Sequence, residues 1–138
     1  MDARPHLALT GPMGTGKTTI ATALERHYAY RRLSWATPLK DFAAAAYGPI
    51  NKDATYTIRR DGHLMTISGR ALLQQIGTDA LRRFDEDFWL RIGLRTIDAH
   101  PDGPWVVDDS RFPNETAALR RRGFVVVGLI VDPAIRAA

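Results

Sequence analysis

The sequence contains no cysteine. That excludes disulfides, iron–sulfur clusters and a thiol nucleophile. Histidine is scarce as well: His6, His27, His63 and His100 are scattered and give no metal-ligand spacing. Long hydrophobic runs are missing. The longest, Phe124 to Val131, has eight residues, against the ~20 that a membrane helix needs. The N-terminal Met-Asp-Ala-Arg-Pro-His has no apolar core of the signal-peptide kind. These absences point to a soluble, intracellular protein. No internal repeat, linker or low-complexity segment is visible either.

What is present is the composition of an ordinary globular domain. The chain has 138 residues, 45% hydrophobic and 25% charged. That fits one domain with a real core. The formal net charge is +4, which favours anionic ligands, nucleotides included. Arginine dominates the basic residues; lysine occurs only at Lys17, Lys40 and Lys52. Arginine suits planar, bidentate binding of phosphates and carboxylates. The arginines are spread in small groups, with no basic arm. Arg120 to Arg122, at the end of an expected helix, read as a solvated face helped by the helix dipole.

The apolar pattern predicts a strand over His6 to Thr10, then a loop, then a helix from Gly16 to about Tyr28. Leu33 to Ala36 reads as a second short strand. Pro38 is expected to open a helix that runs to Tyr47, before Gly48-Pro49. Thr55 to Arg60 and His63 to Ile67 flank Asp61-Gly62, a hairpin signal. Ser68 is expected to cap a helix to about Ile76, with Gly77 as its stop and a short helix from Thr78. Asp85 is expected to cap a longer helix ending before Pro101. Trp105 to Asp108 reads as a strand, Asn114 to Arg122 as a helix stopped by Gly123, and Phe124 to Val131 as a buried strand. Strand–helix alternation at both ends of the chain predicts an α/β fold, a parallel sheet with helices on both faces. The core is expected at about 1–36 and 101–138. The mostly helical stretch of about 37–100 reads as an insertion.

The strongest motif is Gly11-Pro12-Met13-Gly14-Thr15-Gly16-Lys17-Thr18, a match to G-x-x-x-x-G-K-[ST]. Glycines let such a loop curl until successive backbone N–H groups point at phosphate oxygens. The helix that follows offers its positive end to the same anion. Lys17 is then placed for the β- and γ-phosphates, and the Thr18 hydroxyl for Mg²⁺. An apolar strand before the loop and a helical run after it supply the right context. A second signal is Trp105-Val106-Val107-Asp108-Asp109. In P-loop proteins an apolar strand ending in Asp lies beside the phosphate loop and orients Mg²⁺. Either aspartate fits, and strand alternation sends them to opposite sides. A third signal is Arg70, Arg82, Arg83 and Arg111, since phosphoryl transfer needs positive charge around donor and acceptor phosphates. Trp35, Phe42 and Trp89 have the ring faces to stack on a base, although core packing is the commoner role for each.

Four stretches together resemble the bacteriophage-type deoxynucleoside monophosphate kinases, P-loop NTPases related to adenylate kinase. They are Gly11 to Thr19 (GPMGTGKTT), Leu33 to Asp41 (LSWATPLKD), Gly69 to Trp89 (GRALLQQIGTDALRRFDEDFW) and Val106 to Glu115 (VVDDSRFPNE). The first is generic to the superfamily. The other three, in this order, are more specific. The likeness spans about residues 7 to 131.

The resemblance implies a P-loop fold with a helical NMP-binding insertion, ATP and Mg²⁺ as cofactors, and a deoxynucleoside monophosphate as acceptor. It implies that Gly11, Met13, Gly14, Thr15, Gly16, Lys17, Thr18 and Thr19 form the donor-phosphate loop. Thr18 with Asp108 or Asp109 would hold the metal, Asp109 being the match to the family's strand-end aspartate. Lys40, Arg70, Gln74, Gly77, Thr78 and Asp79 would line the acceptor pocket, with Arg70 on the acceptor phosphate. Arg111, Asn114 and Glu115 would line the same cleft. Lys17, Arg70, Asp109 and Arg111 are the expected catalytic set. The expected partners are these nucleotides alone, with no membrane and no specific nucleic acid; a homodimer is one possible assembly. The expected location is the cytoplasm, that of a host cell if the chain is phage-encoded.

The chain departs from the family at its end. Relatives continue into a lid with further arginines and then a segment that packs on the donor base, whereas this sequence stops after Asp132-Pro133-Ala134-Ile135-Arg136 and two alanines. Arg136 is where such a lid would begin. A truncated chain or a reduced enzyme is therefore expected. Two rival readings stand beside the kinase. One is a P-loop kinase for another small phosphorylated acceptor such as phosphomevalonate. The other is a catalytically silent nucleotide-binding module.

Overall fold

A computed structural model describes residues 3–12 and 14–134. In chain order the elements are β1 (Leu7–Thr10), α1 (Lys17–Tyr28), β2 (Arg31–Leu33), α2 (Ala36–Tyr47), β3 (Thr55–Arg60), β4 (His63–Ser68), α3 (Gly69–Gln74), a π-helical stretch (Gln75–Arg82), α4 (Phe88–Ala99), β5 (Trp105–Val107), α5 (Pro113–Arg121) and β6 (Val125–Gly128). The chain divides into two compact units, residues 1–35 with 93–138, and residues 36–92. The division falls inside α4, whereas the sequence placed the second boundary near residue 100.

The first unit is α/β. Its four strands form a parallel sheet in the order β2-β5-β1-β6, flanked by helices. Parallel strands are linked by helical crossovers that cover them, so they read as unbroken apolar runs. β5 shows this best, with Trp105, Val106 and Val107 all buried. Leu9, Ala21, Tyr30 and Val106 form a core cluster with Leu7, Leu24 and Val127 packed against it, which binds α1 to the sheet. Each large apolar side chain removed from water there contributes about 1.5–3 kcal/mol.

Two strands differ from their expected bounds. β2 occupies Arg31–Leu33 rather than Leu33 to Ala36. Its partner β5 pairs Arg31 with Trp105 and Leu33 with Val107. Past Leu33 the chain turns, and Asp109 accepts hydrogen bonds from Ser34 Oγ (2.8 Å) and Trp35 N–H (2.9 Å). β6 covers only Val125–Gly128 of the run Phe124 to Val131. Its neighbour β1 ends at Thr10, whose carbonyl takes the Leu129 N–H at 2.8 Å, and Ile130 beyond it is 95% exposed. Hydrophobic character continues after the pairing partner has run out.

α5 shows how local sequence ends a helix. Pro113 stands at its first position, where an N–H would have no partner. At the other end Gly123 takes φ 83°, Phe124 N–H bonds the Leu119 carbonyl and Gly123 N–H bonds the Arg120 carbonyl. This double bond pattern is a Schellman stop.

The second unit contains the β3–β4 hairpin, paired antiparallel from Thr55↔Ser68 to Arg60↔His63. Asp61 and Gly62 both take positive φ, 51° and 79°, the type I′ geometry that two-residue hairpins favour. Ser68 caps α3, its Oγ accepting from Ala71 N–H at 3.1 Å. Gly77 does not stop the helix as expected; the chain runs through it as the π-helical stretch Gln75–Arg82. Its missing side chain serves packing instead, because a Cβ there would stand 2.8 Å from Leu39 Cδ2. α2 begins at Ala36, so Pro38 is its third residue rather than its first. The first turn tolerates that, since its N–H groups lack helical partners. Among the described residues no helix is long and apolar enough to cross a membrane.

Candidate functional site

The loop from Gly11 to Gly16 joins the carboxyl end of β1 to α1, the side of an open parallel sheet where ligands bind. Gly11 has φ 147°, and a Cβ on it would press on the Leu129 carbonyl at 2.8 Å and Thr15 Oγ1 at 3.1 Å. Gly16, with φ 89° and ψ 16°, is the N-cap of α1 in the left-handed region, where a side chain is strained. Gly14 shares that region, at φ 82°. Thr15 is buried and donates from Oγ1 to the Pro12 carbonyl at 2.7 Å. Lys17 Nζ donates to the carbonyls of Gly11 and Pro12, the latter at 3.0 Å. The ammonium is thus held over its own loop. Thr18 and Thr19 are exposed at the start of α1, whose first turn carries no acidic residue. The first turn itself therefore supplies no negative charge to offset the positive end of that helix. Met13 and Arg136 lie outside the described residues.

The end of β5 lies next to β1 in the sheet. Its two aspartates have different surroundings. Asp108 is buried, with Oδ2 taking Nε (2.9 Å) and Nη2 of Arg32, while Oδ1 has no hydrogen bond. Burial pushes its carboxyl above the ordinary value in spite of Arg32. Arg32 also reaches Thr22 Oγ1 on α1 at 3.3 Å. Asp109 is only partly buried, and its oxygens are oriented by Ser34 and Trp35. Hydrogen bonds of this kind set a carboxylate's direction. Next, Ser110 is buried and takes the Trp35 indole N–H at 3.2 Å.

Beyond it, Glu115 is buried and Oε1 accepts from the N–H groups of Arg111 (2.8 Å) and Phe112 (3.0 Å). A glutamate at the third helical position reaching back to the N-cap N–H is half of a capping box. Glu115 therefore occupies the amino end of α5, in contrast with the open amino end of α1. Asn114 is partly buried in the first turn. Arg111 has an exposed side chain whose guanidinium makes no hydrogen bond or ion pair among the described residues.

The remaining expected residues belong to the second unit. Gly69 is buried, and a Cβ there would collide with the Asn51 carbonyl. Its N–H bonds the Ala54 carbonyl at 2.8 Å, and the Arg70 N–H bonds that of Lys52 at 3.1 Å. These contacts fix the backbone of Arg70, whose side chain is exposed. Lys40 on α2, Gln74 at the end of α3, and Thr78 and Asp79 in the π-helical stretch are also exposed. Arg82 is partly buried and reaches the Glu86 carbonyl at 3.3 Å, and Arg83 is exposed. The Gly77 carbonyl takes the Trp89 indole N–H at 3.2 Å. Trp89 is buried, with Phe42 edge-on to it at 5.8 Å and Phe42 itself half exposed. Trp35 is buried where a Cβ on Gly93 would strike its ring. Of the three aromatics considered for stacking, Phe42 alone keeps an open surface.

The structure groups the Gly11–Thr18 loop with Asp108, Asp109, Arg111, Asn114 and Glu115 in the first unit, and Lys40, Arg70, Gln74, Gly77, Thr78 and Asp79 in the second. Sequence reasoning missed Arg32, which holds Asp108, and it gave no such role to Ser34 and Trp35, which hold Asp109; from sequence Trp35 reads as a core or stacking ring. Each lies 74 to 76 residues from its partner, and no local pattern signals such a pairing. Among the described residues no three of His, Cys, Asp and Glu gather as a metal centre. No protein-family model matches the chain, and no curated protein matches it.

Proposed function

We propose that the chain is a P-loop nucleotide kinase that moves the γ-phosphoryl group of ATP to a deoxynucleoside monophosphate, giving the diphosphate and ADP. The observation that carries this reading is the Gly11–Thr18 loop. It has left-handed glycines, a lysine over its own carbonyls and a helix whose first turn carries no acidic residue, all at the carboxyl edge of a parallel sheet. A cradle of backbone N–H groups with one lysine is what a polyphosphate requires.

Lys17 leaves the loop carbonyls for the β- and γ-phosphates. Its charge offsets what builds up on the transferred group. Thr18 and Asp109 are hard oxygen donors, and they fit Mg²⁺, which binds through few protein oxygens and keeps its waters. When bound, Mg²⁺ neutralises phosphate charge. Asp109 suits this role better than Asp108, because it is the less buried of the two and Arg32 already neutralises Asp108. Arg111 supplies a free guanidinium, and Arg70 a second one for the acceptor phosphate. No protein nucleophile is needed, since an acceptor-phosphate oxygen attacks in line. The setting of such chemistry is the cytoplasm, where both nucleotides are found.

A coupled ADP-release assay over dNMPs, NMPs and phosphomevalonate tests the reading. Turnover is expected with one or more dNMPs. Turnover with phosphomevalonate alone, or none with any acceptor, would sink it. Within the same assay Asp109→Asn is expected to lower the Mg²⁺-dependent rate more than Asp108→Asn does. The reverse order would give the metal to the buried aspartate.

A further inference from the structure

The segment after β5 is tied down residue by residue. Asp108 is held by Arg32, Asp109 by Ser34 and Trp35, Ser110 by the Trp35 indole, and the N–H groups of Arg111 and Phe112 by Glu115. Out of this anchored segment projects one charged side chain with no partner of its own among the described residues, the Arg111 guanidinium. Glu115 is 6% exposed, and Oε1 is committed to two backbone donors. A carboxylate so placed is poorly suited to meet a substrate and well suited to fix the chain that carries Arg111. Its negative charge also occupies the amino end of α5, so that end does not compete with α1 for an anion.

We propose that Glu115 is a positioning residue acting through Arg111, and that it holds the Arg111 backbone so that the guanidinium meets the phosphoryl group in transfer. This inference rests on the kinase reading. It moves Glu115 from the substrate-lining set to the frame behind it. A group that must meet the transition state gains from a backbone already in place, because the cost of ordering it is met on folding.

The test is a double-mutant cycle on kcat, with dNMP and ATP varied in turn and the fold monitored by circular dichroism. Arg111→Ala and Glu115→Ala are each expected to lower kcat by roughly 10- to 100-fold, with both KM values within about twofold. In the Arg111→Ala background Glu115→Ala should cost no more than about twofold, since the two act as one unit. Glu115→Gln keeps an acceptor oxygen at the same place and should restore most of the rate. It also carries the cycle if Glu115→Ala does not fold. Losses that multiply in the double variant would overturn the proposal. So would a Glu115→Gln enzyme whose dNMP KM rises at unchanged kcat, for that is the mark of a substrate ligand.

Wild-type turnover tests the kinase reading separately. If the wild type is inactive on every dNMP, the kinase reading fails and the positioning role falls with it. With an active wild type, losses that multiply in the double variant overturn the positioning role alone and leave the kinase reading standing.

Discussion

β5 buries all three of its residues, and the segment that follows is bonded back to β2, α5 and the turn after β2. β3 and β4, with six residues each, bury none. The charges of the candidate site differ likewise between the two compact units. Asp108, Asp109 and Glu115 are oriented by named partners, whereas Lys40, Arg70 and Arg83 extend into solvent from backbone that is fixed beneath them. A covered parallel sheet can hold charge in a set direction, because neighbours exist on every side to hydrogen-bond it. A two-stranded ribbon sets register through its turn and leaves most of its side chains in solvent. For the proposed reaction the anchored region suits the group in transfer, and the free arginines suit an acceptor that is captured and released.

Stability measurements are expected to show the largest contrast. Leu119 on α5 is wholly buried, while Leu64 on β4 is 67% exposed. Leu119→Ala should cost about 2–5 kcal/mol in denaturant unfolding, and Leu64→Ala less than about 0.5 kcal/mol. Similar costs at the two sites would break the comparison.

Activity comes next. Lys17→Ala should lower turnover by roughly 10²- to 10³-fold, the scale of one preorganised electrostatic contact, with unchanged circular dichroism. Near-normal activity would remove the phosphate-loop assignment. On the looser side, Arg70→Ala should raise the dNMP KM by roughly 10- to 150-fold, the worth of a charge-assisted hydrogen bond of about 1.5–3 kcal/mol. The ATP KM should stay nearly constant. Arg70→Lys should recover only part, since an ammonium lacks the fork. A rise confined to the ATP KM would put Arg70 on the donor side.

The smallest effect concerns acid stability. Asp98 on α4 receives Arg122 Nε and Nη2, each at 2.9 Å. That pairing holds its carboxyl below the ordinary value. A carboxyl lowered on folding adds stability above its unfolded pKa, and loses it as pH falls through the folded one. Asp98→Asn should therefore be slightly less stable than wild type at neutral pH, by about 0.2–1 kcal/mol for an exposed pair. The gap should close below about pH 4, near the ordinary carboxyl pKa. A gap that widens in acid would reverse the sign and remove the pairing.

Much of the fold was legible because it is written locally. Asp61-Gly62 specifies its turn by tolerating positive φ at both positions, Ser68 caps α3 through its own hydroxyl, and Gly123 ends α5. The glycine spacing of the Gly11–Gly16 loop belongs to this class. The misreadings have a common cause. Arg31 and Arg32 hid β2 from an apolar reading, because an edge strand can expose one charge and partly bury the other against a distant partner, here Asp108. Gly77 looked like a helix stop, because its role is to make room for Leu39, contributed by another helix.

By itself, then, the order of residues determined the turns, the caps, the curl of the Gly11–Gly16 loop and the strand–helix alternation, since each depends on backbone sterics or on hydrogen bonds within a few residues. Only the tertiary structure decided what the chemistry-bearing side chains face. It buried Asp108 against Arg32 and left Asp109 more open beside Ser34 and Trp35, two fates for neighbours of identical chemistry. It turned Glu115 inward to cap and left Arg111 outside. Burial and pairing are properties of what packs alongside a residue, and that is settled by strands and helices far away in the chain.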